Sequence, residues 1–159
     1  MRAVVLLALL LAGSTPAADP DAEVKALAGV WRLQAATLDG RDHTEDFAGM
    51  TLTLTGTAYV IDFAENSDRG TFTLNPAKAP KWIDIRTGDK GPFKGLTLPG
   101  IYKLEGDQLT LCLHADGQTR PTEFTAPQKT RNMLLTYKRE QKKQEKEFGS
   151  PNLEDTRCE

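Results

Sequence analysis

The chain is poor in the residues that carry most protein chemistry. Its 159 residues include only two cysteines and two histidines. That excludes a disulfide-dense scaffold. Positive charge is not in excess either, since 20 Lys and Arg stand against 22 Asp and Glu. Binding to nucleic acid needs a concentrated positive field, so nucleic acid is not expected as a partner. No Gly-x-Ser-x-Gly elbow and no phosphate-cradling glycine loop is present. No apolar run is long enough to span a bilayer.

The one long apolar run is at the start. Arg2 precedes Ala3 to Ala12, and small residues follow from Gly13 through Ala17 and Ala18. A short basic flank, an apolar stretch too short to cross a membrane and a small-residue site predict a secretory signal peptide over residues 1–18. Cleavage is expected after Ala17 or Ala18. No cysteine follows the run to carry a lipid, so the mature chain is expected to be exported and soluble, in the periplasm or outside the cell.

What remains is built of short alternating runs punctuated by turn residues. Asp19, Pro20 and Gly29 bracket a helix over about Pro20 to Ala28, as N-cap, first helical residue and left-handed terminator. Val30 to Thr37 then alternates, with Trp31, Leu33 and Ala35 expected on one face. Leu38 to Gly49 is polar and acidic, and its Asp42, His43, Glu45 and Asp46 fit no metal-site spacing. It reads as a loop. Met50–Thr55 and Thr57–Ala64 form a hairpin through Gly56, and Glu65 to Asp68 is expected to turn the chain.

Further strands are expected at Gly70–Asn75, Lys81–Thr87, Gly100–Leu104, Gln108–His114, Glu123–Ala126 and Asn132–Arg139. Gly88 to Pro99 carries breakers and reads as a long loop, with an edge strand at Lys94 to Leu98. Lys81 to Thr87 puts Ile83 and Ile85 inward and Trp82, Asp84 and Arg86 outward, which predicts a surface Asp84–Arg86 pair and an exposed Trp82. The expected fold is all-β: an up-and-down antiparallel barrel of about eight strands over residues 19–139, with the short helix under one end. Residues 140–159 form a charged tail. Closure of the barrel removes the exposed strand edges.

Several quoted features together resemble a known family. Gly29-Val30-Trp31 after a short helix is similar to the Gly-x-Trp opening of lipocalins. A basic residue, Lys138 or Arg139, ends the last strand, as in that superfamily. The series Gly70-Thr71-Phe72, Pro80 to Asp84, Gly100 to Leu109 with Cys112, then Arg120-Pro121 and Phe124 resembles a family of exported lipocalin-like domains of unknown function that is expanded in planctomycete bacteria. The resemblance spans about Leu27 to Arg139. It implies a calycin-type barrel and an exported protein, and neither a ligand nor a reaction.

The inward set Leu54, Tyr59, Ile61, Phe72, Ile85, Tyr102 and Leu111 is expected to line the barrel interior. If it leaves a cavity, the protein binds a small apolar molecule there; if it close-packs, the barrel is an envelope or extracellular interaction module. No catalytic constellation, metal set or cofactor motif stands out, so no enzyme is expected. Arg120 is read as a structural partner for a carboxylate. Met133, Leu135 and Tyr137 alternate, which carries Arg139 to the inward face and predicts its guanidinium over Trp31. Cys112 and Cys158 allow one disulfide; the other reading is a buried free thiol at Cys112.

Overall fold

The computed structural model describes residues 19–90 and 93–141. Helix α1 (Pro20–Leu27) opens with Asp19, whose carboxylate accepts the Asp21 N–H at 2.9 Å. Nine strands follow: β1 (Gly29–Leu38), β2 (Arg41–Asp42), β3 (Thr51–Thr55), β4 (Ala58–Phe63), β5 (Asn66–Asn75), β6 (Lys81–Arg86), β7 (Thr97–Glu105), β8 (Gln108–His114) and β9 (Asn132–Arg139). All pair antiparallel with sequence neighbours, apart from the two-residue β2, which only extends the end of β1. Pairing of β1 with β9 closes the ring into an eight-stranded up-and-down barrel.

The closure is pinned where Trp31 stands opposite Arg139. The Arg139 guanidinium carbon lies 4.0 Å from the centre of the fully buried Trp31 ring. Its two terminal nitrogens donate to the carbonyls of Ala28 and Ala26, each at 2.6 Å. Trp31 in turn donates its indole N–H to the Leu27 carbonyl at 2.9 Å. One side chain from each end strand therefore caps orphan carbonyls at the end of α1, which otherwise lack partners. Gly29 sits between them at φ +137°, and a Cβ there would come within 3.0 Å of an Arg139 nitrogen.

Helix α1 also plugs the barrel through Glu23, which accepts the Lys81 ammonium and, at 3.0 Å, the Tyr102 hydroxyl. Leu27 is fully buried beneath it. At the opposite end the inward side chains Ile61, Ile85 and Leu135 stay partly exposed, so that end is the mouth.

Several expectations are corrected. Ala35 is exposed and Ala36 is buried, because β1 shifts register against β9 between Leu33 and Ala35. That bulge inserts one residue and reverses the alternation beyond it. Residues 38–49 are not a plain loop: they hold β2 and a 3-10 turn at Glu45–Phe47. The turn placed at Glu65 to Asp68 is mostly strand, since β5 begins at Asn66.

Lastly, no strand forms at Glu123–Ala126. Residues 115–131 run instead as a strap across the outer face of β6 to β8, held by side chains rather than a ladder. Arg120 donates to the carbonyls of Ile83 (3.0 Å) and Gly100 (2.6 Å) and to Asp84 (2.7 Å), with its guanidinium 4.4 Å from the Trp82 ring centre. Asp84 thus pairs with Arg120 and not with Arg86. Trp82 is half-buried between Arg120 and the Lys78 ammonium, which lies 4.9 Å from its ring centre. Fully buried Ile101 and Cys112, opposite each other on the outer face, lie under this strap.

The closure makes a testable distinction between two adjacent basic residues. Arg139→Lys loses the forked bonding and most of the ring contact, and should lower the unfolding free energy in urea by about 2 kcal/mol. Lys138, which is exposed, should tolerate alanine within about 0.5 kcal/mol. The reverse order would contradict this account of the closure.

Candidate functional site

The alternation of β3 to β9 sends one row of side chains from each strand into the barrel. These rows surround a recess that is continuous with solvent and has a free volume of about 40 Å³. Leu54, Tyr59, Ile61, Phe72, Ile85 and Leu111 line it, as expected from the pattern, together with Leu135 and others. Tyr102 is buried and faces inward, but it does not line the recess. Its hydroxyl is committed to Glu23 at the plugged end. Leu27, Leu52, Ile83, Leu109, Leu113 and Tyr137 complete the wall. The same period-two rule places all of these except helical Leu27.

The lining is apolar but for two phenols. Tyr137 is buried and reaches only the Met50 sulfur, at 3.9 Å; burial pushes its ionisation above the ordinary tyrosine range. Tyr59 is raised likewise, first by burial and then by its 2.7 Å hydrogen bond to Asp68. Both therefore act as neutral hydroxyls at physiological pH. Tyr59 lies flat along β5 because residue 70 is glycine: a Cβ at Gly70 would fall 2.6 Å from the Tyr59 ring.

Asp68 escaped the sequence reading, which treated it as part of a turn. Phe72 and Leu74 were recognised as inward, and stepping back by twos through Gly70 reaches Asp68. The glycine hid the period. Such an arrangement can shelter a compact apolar group with one acidic anchor near the mouth.

The remaining candidates lie elsewhere. His43 Nδ1 is 2.7 Å from Asp46, and the His114 ring accepts the Asp116 N–H at 3.3 Å. Thr44 bonds to the Asp42 carboxylate and holds it below the usual range. No group of three or more His, Cys, Asp or Glu that could hold a metal occurs among the described residues. Cys112 is fully buried and its thiol donates to the Thr125 carbonyl at 3.3 Å. Its expected partner Cys158 lies outside the described residues, as do the charged tail beyond residue 141 and the leader over residues 1–18.

No protein-family model, curated protein or solved structure matches the chain.

Burial pushes the Cys112 thiol up to about 11. A raised thiol pKa keeps the reactive thiolate scarce below that value. A thiol reagent at mildly alkaline pH should therefore label Cys112 slowly in the native protein and rapidly after denaturation. Fast native labelling of Cys112, resolved by peptide mapping, would show that the strap opens readily.

Proposed function

We propose that this barrel is a non-catalytic binding domain that takes a small, compact apolar molecule at its open end. The observation that supports this is the apolar recess whose inward residues Ile61, Ile85 and Leu135 remain partly exposed while the opposite end is plugged by α1. A closed barrel leaves no strand edge within the ring for pairing with a partner, and among the described residues Leu96 is the one large apolar side chain that stands exposed, at 40%. That free volume is far smaller than the roughly 300–1,000 Å³ of drug-sized ligand sites. The ligand is accordingly short, with its tip inside and the rest among the mouth residues.

That small free volume also favours a second reading, in which the barrel is filled and the protein is an interaction module. The two part on a titration of butan-1-ol into methyl-labelled protein. Shifts confined to Ile61, Ile85 and Leu135, and abolished by Ile85→Trp, are expected for the recess. Scattered shifts, or none, would favour the filled barrel.

We further propose export, from the apolar leader over residues 1–18. The protein recovered from its native cells should begin at Ala18 or Asp19 and partition with the periplasm or the medium. A retained Met1 in cytoplasmic material would refute this.

A further inference from the structure

The one buried side-chain polar atom without a hydrogen-bond partner among the described residues is Oδ1 of Asp68. Asp68 stands on β5 directly opposite Ile61. Directly opposite residues share a face of the sheet, so the carboxylate points inward, beside a residue that lines the recess. Oδ2 is occupied by the Tyr59 hydroxyl at 2.7 Å. Oδ1 is shielded from solvent and unbonded.

Arg69 and Lys90 line the same rim recess as Asp68, but neither forms an ion pair with it. The ion pairs among the described residues all use other carboxylates. Arg69 alternates to the outer face and is exposed, as is Arg86. Gly88 covers the oxygen on one side, since a Cβ there would sit 3.5 Å from it. A carboxylate oxygen kept from water without a donor is destabilising, and native structures retain such a group where something else meets it. A cation carrying N–H donors answers both deficits at once, by charge and by hydrogen bond.

We propose that the recess selects ligands bearing a positively charged nitrogen, an aliphatic primary amine being the simplest, with the ammonium on Asp68 Oδ1 and the hydrocarbon against Ile61 and Ile85. Tyr59 lines the apolar recess and Asp68 lines a neighbouring rim recess with Gly88 and Lys90, so the ammonium meets the carboxylate where the Tyr59 phenol joins the two. Tyr59 holds the other oxygen and fixes the carboxylate's direction, with Gly70 leaving room for its ring. This inference rests on the recess being a binding site, and it adds the chemical class of what binds.

The test uses butylamine, butan-1-ol and butanoate, three probes of one chain length, titrated at neutral pH into the full chain with labelled methyl groups. Butylamine should bind at least about fivefold more tightly than butan-1-ol, the margin of a charge-assisted over a neutral hydrogen bond, and butanoate most weakly. Asp68→Asn should abolish the advantage of butylamine over butan-1-ol. Tyr59→Phe frees the second carboxylate oxygen and should keep the preference for the amine, which provides a check if Asp68→Asn folds poorly. An amine no better than the alcohol in the native protein, or an advantage that survives Asp68→Asn, overturns the inference while leaving the recess in place. Failure of all three probes to move the methyls of Ile61, Ile85 and Leu135 overturns the recess and the inference together.

Discussion

Everything else in this fold depends on the contact between the first strand and the last. A barrel of antiparallel strands is a sheet until β1 meets β9, and that seam joins residues as distant in sequence as Trp31 and Arg139. Backbone pairing alone would bring two flexible chain ends together, at an entropic cost that grows with the loop closed. Arg139 adds bonds that no ladder supplies. It spans from β9 across Trp31 to the two carbonyls at the end of α1. Helix, first strand and last strand are thus fixed by one guanidinium, and the seam and the plug form as a unit. Lysine carries the same charge but has neither the fork nor the flat face.

Sealing one end in this way gives the barrel a direction. At the plugged end the polar groups of the interior are already matched: Tyr102 and Lys81 on Glu23, and the Trp31 indole on Leu27. At the mouth they are not, and that is where the partly exposed Ile61, Ile85 and Leu135 and the half-satisfied Asp68 are found. Interiors pack densely because every gap forfeits dispersion contacts. A residual space lined by apolar groups on the unplugged side therefore has a different standing from a packing defect in the core.

Much of this was legible in the residues, and what was not has identifiable causes. Strict alternation in Met50–Thr55, Gly100–Leu104 and Gln108–His114 fixed which side chains face inward, and the hairpin signals at Gly56 and Gly106-Asp107 set their order. Extending the period of two along β9 placed Arg139 on the face of Trp31. The rule failed where the period itself is broken. The β1 bulge exchanged Ala35 for Ala36, and Gly70, having no side chain to show a face, concealed that Asp68 belongs to the inward row. The strap failed for another reason. Residues 115–131 owe their path to Arg120 and to the apolar patch around Ile101 and Cys112, and both are tertiary contacts with no local pattern.

The strap also divides the wall into two kinds. On β7 and β8 both faces are buried: Tyr102, Leu109, Leu111 and Leu113 inside, Ile101, Thr110 and Cys112 outside. On β4 and β5 only the inner face is covered, while Asp62, Ser67, Arg69, Thr71 and Thr73 are exposed. Segments with fewer buried contacts and solvent-exposed backbone open at lower free energy than those packed on both sides. Any widening of the mouth is therefore borne by β4 and β5, the strands that carry Tyr59, Ile61 and Asp68. If the recess binds as proposed, the part of the barrel that can yield is the part that carries Asp68, so yielding and recognition would fall on the same pair of strands while the Arg139 seam stays shut.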